Sequence, residues 1–402
     1  MKILFSLWLL LIYLPIVSQN QVDPYLEIAA NHNPELKASF NDFMASLELA
    51  PQARGLDDPR ITFGYFIQPV ETRVGAQRAS IGLNQTFPWF GTLKAKENLA
   101  CQIIEARYAE FLDTKLKLYR DVRVAYNELY FLHQAIRLTA DNLQVLSSFK
   151  ELARVNFESG KTGFVSVLRV EMEEQELYTK LDYLKDSQKS AEAVFENLLN
   201  TRLEDEITFS DSLALVPLDY PQQVLVDSLL QNNLQLQELK YQALAKEEQI
   251  EVARMMSKPS LSVGLNYIFV DERSDMEVPD NGRNAFLFPQ VGMSIPIFQK
   301  KYQAMQNQAV LNREKLDYQI EHETNQLFSQ LELLIRDHVD AQRRLKLNHN
   351  LNYLAERSLS LLQTEFTTGQ TEFEEVLRME RKLLTYQLEL ERARVDINNA
   401  VY

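Results

Sequence analysis

Glycine and proline are missing from long tracts of this chain, and that restricts its fold more than any other feature. None falls within residues 92–159, 164–216, 222–258, 297–368 or 370–402, although the 402-residue chain holds 11 Gly and 13 Pro. The tracts are rich in Leu, Glu, Lys, Gln, Arg and Ala, which lose little on entering a helix. Residues 92–159 alone would make a rod of roughly 100 Å at ~1.5 Å per residue, beyond the helices of ordinary globular domains. The chain is therefore mainly α.

That first rod carries two apolar stripes rather than one. Ile104, Tyr108, Phe111, Leu118, Val122, Ala125, Leu129, Leu132 and Ile136 recur at 4,3 spacing, interrupted only by Lys115. Leu112, Leu116, Tyr119, Arg123, Tyr126 and Tyr130 run beside them at the same spacing. One seam makes a two-stranded coil, whereas two seams call for neighbours on both sides, as in a tube of helices.

The tracts meet at a motif that the chain states twice. Phe157 to Glu171 reads FESGKTGFVSVLRVE, and 209 residues later Phe366 to Glu380 reads FTTGQTEFEEVLRME, identical at eight of fifteen positions. In each copy a Phe ends a long helical tract, a Gly (Gly160, Gly369) supplies the break, and a Thr (Thr162, Thr371) follows as a helix cap before apolar periodicity resumes. Each is the tip of a helical hairpin, so the architecture is duplicated.

Between the helical tracts the period changes from 3.6 to 2. After a short helix over 35–50, entered at Asn33-Pro34, and a break from Pro51 to Pro59, Ile61, Phe63, Tyr65 and Ile67 alternate with small or polar residues. A loop over 69–78 leads to a second alternating run, 79–87, which Pro88-Trp89-Phe90-Gly91 closes. The second half repeats the plan: helix over 232–256, strand over 261–269, polar loop over 271–284, strand over 290–298, then helices over about 299–367 and to the C-terminus. The first repeat spans about 24–200 and the second about 222–402, with an irregular connection over 201–221; the hairpins lie at about 60–88 and 259–298. Strands of nine to eleven residues with one apolar and one small or polar face suit a transmembrane barrel, but four cannot close one. Two copies would give eight strands and three would give twelve.

Other features bound the function. Residues 1–18, MKILFSLWLLLIYLPIVS, read as a signal peptide with no cysteine after the apolar run, so the expectation is an exported chain without an N-terminal lipid anchor. The formal charge of −14 disfavours nucleic acid. The lone Cys101 has no partner for an internal disulfide and is expected as a packed thiol. His32, His133, His322, His338 and His349 lack metal-ligand spacing, and no phosphate loop or nucleophile motif occurs, so neither metal, cofactor nor enzyme activity is expected.

Taken together, Asn33-Pro34, the strand from Pro59 to Tyr65, Gln85-Thr86-Phe87-Pro88-Trp89-Phe90-Gly91 and the two Gly-centred tips resemble the outer membrane efflux protein (TolC) family across the whole mature chain, 19–402. The resemblance implies a homotrimer in the outer membrane. Each protomer would give four strands to a 12-stranded β-barrel and long coiled-coil helices to a periplasmic α-helical barrel. It implies a passive exit duct served by a periplasmic adaptor (membrane fusion) protein and an inner-membrane transporter of the RND type. Adaptors of this family meet the tips, here Gly160, Lys161, Thr162, Gly163, Gly369, Gln370 and Thr371. Family gates carry two acidic residues beyond the second tip; Glu375 falls on the first and Arg378 on the second, a departure that would give ion pairs between protomers. Ser166 and Arg169 hold the matching places of the first tip. Two other readings stay open: the duct of a type I protein secretion system, and an exported coiled-coil structural protein with no pore.

Overall fold

In the computed structural model, which describes residues 21–203, 207–367 and 371–402, tracts 92–159 and 297–368 each hold one long helix, and the other breaker-free tracts are helical over much of their length. The order is α1 (Asp23–His32), α2 (Pro34–Leu47), α3 (Leu49–Arg54), β1 (Arg60–Thr72), β2 (Gly75–Phe87), α4 (Thr92–Glu158), α5 (Val165–Leu199), α6 (Gln222–Asn232), α7 (Leu234–Met256), β3 (Ser260–Val270), β4 (Ala285–Ser294), α8 (Gln299–Thr367) and α9 (Phe373–Val401). The expected leader, 1–18, and the tip residues Gly369 and Gln370 lie outside the described residues. No helix among the described residues is long and apolar enough to cross a membrane.

The chain divides into two compact units, with α4 and α8 passing through both. One gathers the chain up to Lys37 with Lys115–Asp219 and Gln330–Tyr402; the other holds Ala38–Thr114 and Tyr220–Ser329.

The second unit contains an antiparallel sheet in the order β1-β2-β3-β4. Its strands are longer or earlier than the alternation suggests, because prolines interrupt the pattern. The first hairpin turns over Arg73 and Val74 alone, with Thr72 opposite Gly75, instead of over 69–78. The register shifts between Tyr65 and Val70, around Pro69 on an edge strand that has no outward ladder to lose. Likewise β4 starts at Ala285, not Gln290, and a second shift surrounds Pro289, while Pro296 ends pairing before Ile297.

The two faces of the sheet differ in chemistry. Ile61 pairs with Leu83, which pairs with Leu265; Phe63 pairs with Ile81, which pairs with Tyr267. Ile61, Phe63, Tyr65, Ile67, Val291 and Met293 stand exposed on single strands of that apolar face. On the other face Thr62 meets Gly82, Gly64 meets Ser80, and Ser262 meets Gly292. A Cβ on any of these three glycines would lie 2.6 Å from the opposing hydroxyl oxygen, so the strands close up tightly on their polar side.

The short helices also follow local chemistry. Pro51 was expected to begin a break, yet it sits in the first turn of α3, where its missing N–H costs no hydrogen bond. The helix expected over 232–256 is α7, and a further helix, α6, precedes it and is parted from it at Asn233. Asn33 parts α1 from α2 in the same way, with φ −60° and ψ 125° against −65° and 123° at Asn233. Asn33 Oδ1 accepts from Leu36 N at 3.0 Å and Asn233 Oδ1 from Leu236 N at 2.9 Å, so each caps the following helix.

Both α4 stripes pack in the first unit: Leu118, Val122, Leu129 and Leu132 from one, Tyr126 and Tyr130 from the other, are buried. In the second unit Tyr108 remains exposed, and so does Cys101, which continues the stripe of Ile104 and Tyr108; Leu116, where α4 enters the first unit, is exposed too. The expected packed thiol is thus corrected: Cys101 lies exposed, while further along the stripe Phe43 of α2 packs against Tyr108 with ring centroids 5.2 Å apart. The first unit's core draws Leu146, Phe149 and Ala153 from α4, Val167 and Val170 from α5, Phe366 from α8, and Phe373 and Val376 from α9.

The connection over 209–216 is strapped against α4 and α9. Asn398, fully buried on α9, accepts from Val216 N and donates to Ala214 O, both at 2.9 Å, while Leu213 N donates to Tyr130 Oη at 3.0 Å. Phe209 inserts its ring among Tyr126, Tyr130 and His133.

Candidate functional site at the helix tips

The first tip turns as its Gly requires. Gly160 has φ +75° and nothing within 4 Å of a built Cβ, and Gly160 N and Lys161 N reach back to Phe157 O and Asn156 O, both at 2.9 Å. Gly163 is equally open, and its carbonyl accepts from Ser166 N at 3.1 Å as α5 begins. Thr162 is not the cap that its place suggests: the α5 N-cap is Phe164, and Thr162 Oγ1 is enclosed without a partner. At the second tip the α9 N-cap is Glu372, again without a side-chain cap bond, so Thr371 does not cap either.

The matched phenylalanines separate the two copies. Phe366 and Phe373 are buried with ring centroids 4.9 Å apart, and Phe149 of α4 meets Phe373 edge-on at 5.9 Å. Phe157 and Phe164 pair at 5.2 Å but stay exposed, with Val165, Leu168 and Met172 beyond them. One tip is packed into the core and the other presents an apolar surface.

A cleft of about 520 Å³ lies between the tips, lined among others by Lys161, Thr162, Gly163, Ser166, Arg169, Thr371 and Glu374. Arg169 of α5 forms an ion pair with Glu374 of α9 across it. Glu375 and Arg378 instead pair with each other along α9. Of the four residues expected at a gate, the structure brings Ser166 and Arg169 together in the cleft and leaves Glu375 and Arg378 as an exposed pair on one helix.

Charged groups just beyond the tips were not anticipated as a set. Lys150 of α4 binds Glu174 of α5 at 3.0 Å and Glu171 at 3.5 Å, and the Glu174 bond foremost raises the ammonium's pKa. Glu173, 3.3 Å from Arg381 of α9, has its carboxyl raised chiefly by burial. Glu380 is buried on α9 and takes one hydrogen bond from Asn142 of α4 at 2.8 Å. The matched pair Glu171/Glu380 is visible in the repeat, but nothing in the sequence shows that only one of them is buried. Among the described residues no group of His, Cys, Asp and Glu could hold a metal ion.

The fold is shared with known proteins. The sequence pattern of the family described as outer membrane efflux protein matches residues 25–201, the first repeat. The fold is that of the outer-membrane channel OprN (TM-score 0.80, 17% identity, covering 96% of this chain and 88% of OprN). It is equally that of the outer membrane protein VceC from Vibrio cholerae (0.75, 17%, 95% and 95%) and the Campylobacter jejuni CmeC outer membrane channel (0.76, 13%, 95% and 84%). No curated sequence matches. The family pattern and these relatives are those of outer-membrane channels, not enzymes.

Proposed function

We propose that this chain, which carries the outer membrane efflux pattern in its first repeat and an outer-membrane channel fold throughout, is the passive exit duct of a tripartite efflux system, passing small molecules or ions across the outer membrane. The observation that carries this is the amphipathic four-stranded sheet, whose strands β1 and β4 keep one edge each without a partner among the described residues. Lipid cannot satisfy such edges, so copies must close the sheet on itself. Four antiparallel strands leave β4 antiparallel to the β1 of a neighbouring copy, and three copies give a twelve-stranded barrel. The exposed Ile61, Phe63 and Val291 would face lipid and the Gly, Ser, Thr and Asn face would line water.

The tips are the end that would meet a periplasmic adaptor and, through it, an inner-membrane transporter of the RND type. The open Gly160 and Gly163 turn supports docking there, because backbone lies bare at both glycines. The Arg169 and Glu374 pair supports closure, since it ties one hairpin to the other. In the assembled trimer Glu375 and Arg378 would trade their bond along α9 for bonds between protomers.

The test is to purify the full-length protein in detergent, determine its mass and insert it in a planar bilayer. A trimer that conducts ions supports the duct; a monomer that does not conduct overturns it. Capture of an adaptor by the wild type but not by Gly160→Val would support docking at the tip.

A further inference from the structure

Glu171 and Glu380 close the two copies of the repeated motif, yet their surroundings are opposite. Glu171 is half exposed beside Lys150, which also holds Glu174. One repeat later, 209 residues on, the place of Lys150 is taken by Leu359 and that of Glu174 by Leu383, both buried. Glu380 therefore keeps its carboxylate where the cation has been removed. It is 4% exposed, its Oε1 accepts from Asn142 Nδ2 at 2.8 Å, and its Oε2 is enclosed without a partner.

No charge from the surrounding helices compensates it. On α9 itself Arg381 turns to Glu173 of α5, and on α4 Lys150 is held by Glu171 and Glu174. On α8 the charged side chains near Leu359, Glu356 and Arg357, bond along their own helix to Asn352 and Tyr353. An ionised carboxylate enclosed with one neutral donor is far costlier than a neutral carboxyl in the same place. The bond also joins α4 of the first repeat to α9 of the second, inside the core that unites both hairpins.

We propose that Glu380 and Asn142 form a proton-sensitive latch of the tip core, packed when the Glu380 carboxyl is protonated and loosened when it ionises. Burial raises this carboxyl's pKa above the ordinary glutamate value, with no charged neighbour contributing. The closed core then binds the proton more tightly than an opened one. The stabilisation is complete below the ordinary glutamate range and is lost as pH rises through the raised value. That such loosening acts on a channel's closed end rests on the function proposed above; the latch itself does not.

Hydrogen exchange of the full-length assembled protein across roughly pH 4 to 8 tests it, after correction for the intrinsic pH dependence of amide exchange. Between the ordinary glutamate range and the raised value, opening of segments 142–153 and 373–384 should grow by up to about tenfold per pH unit. In a Glu173→Gln background, which silences the other carboxyl that burial raises beside this segment, Glu380→Gln, which keeps an acceptor for Asn142 and cannot ionise, should remove that response, and Glu173→Gln alone should leave the part that Glu380 supplies. A wild type whose tip exchange ignores pH overturns the latch. So does a response that survives Glu380→Gln in the Glu173→Gln background or disappears with Glu173→Gln alone. Should Glu380→Gln not assemble, the wild-type Glu380 carboxyl band in infrared difference spectra decides: titration in the ordinary glutamate range overturns the proposal. None of these readouts needs conductance, so failure of the latch and failure of the duct reading are distinguishable.

Discussion

Arg169 ends its side chain on Glu374, although its counterpart in the repeat, Arg378, binds Glu375 of its own helix. The difference follows from what each copy offers one turn earlier. The first has Val165 and Ser166 where the second has Glu374 and Glu375, and Arg169 pairs with an acid of the opposite hairpin. The result is a cross-hairpin tie at the tip, half exposed and hence worth only ~0.2–1 kcal/mol by itself. Its reversal should still be visible, because Arg169→Glu sets two acids against each other. Single-channel recordings should show a larger closed-state conductance for Arg169→Glu, brought back toward wild type by adding Glu374→Arg. Equal closed-state conductance in the single variant and the wild type would remove the pair from any role in closure.

The duplicated caps make a quantitative pair. Asn33→Ala and Asn233→Ala each delete a side-chain acceptor at a helix start, a loss of about 1 kcal/mol. Asn33 should cost more, since its Nδ2 also donates to Leu198 O at 3.0 Å and it is buried. Asn33→Asp would separate the two roles by keeping the cap and dropping the donor. Thermal unfolding of the four proteins should rank them wild type, Asn233→Ala and Asn33→Asp above Asn33→Ala; an unchanged midpoint for Asn33→Ala would contradict the capping account.

These caps also show what a reader of the sequence can and cannot see. Asn33 is legible because Pro34 marks a helix start, whereas near Asn233 the expected helix start, at 232, is close but the separate helix α6 before it is not foreseen, since no breaker parts it from α7. The long helices α4 and α8 were bounded to within a residue or so, since Gly and Pro mark both of their ends. The strands were found but misbounded, because Pro69 and Pro289 break the alternation at bulges while pairing continues past them. At the tips the turn and its glycines follow from local rules. The partners of Arg169, Lys150 and Glu380 do not, for they depend on which helices become neighbours, and the two copies of one motif resolve that differently.

Asn398 offers a test of the connection between the repeats. Its amide makes two backbone hydrogen bonds to the strap at Ala214 and Val216 from a buried position. Asn398→Leu would leave a backbone N–H and a carbonyl unpaired in that contact, at roughly 1–3 kcal/mol each where water cannot reach. Limited proteolysis should then cut within 207–217 in the variant under conditions that leave the wild type whole. Tyr130→Phe removes only the bond to Leu213 N and the one donated to Glu391, and should give an intermediate rate. Burial and Glu391 raise the Tyr130 phenol's pKa, so its contribution should hold unchanged through neutral and moderately alkaline pH.

The faces of the sheet give the sharpest separation of a barrel wall from a soluble hairpin pair. Phe63 stands on the apolar face and is 79% exposed in one chain, whereas Thr62 beside it points to the Gly and Ser side, opposite Gly82. If the apolar face meets lipid, Phe63→Lys places a charge in hydrocarbon and costs about 2–4 kcal/mol near the midplane. Asn84→Lys places the same charge on the polar face, in water, and should cost little. Were the sheet instead solvated on both sides, Phe63→Lys would be the milder of the two, since it would remove exposed apolar surface. Heat-resistant oligomer recovered from outer-membrane fractions is the readout. Loss with Phe63→Lys and retention with Asn84→Lys are expected, and the reverse order would remove the lipid-facing assignment of that face.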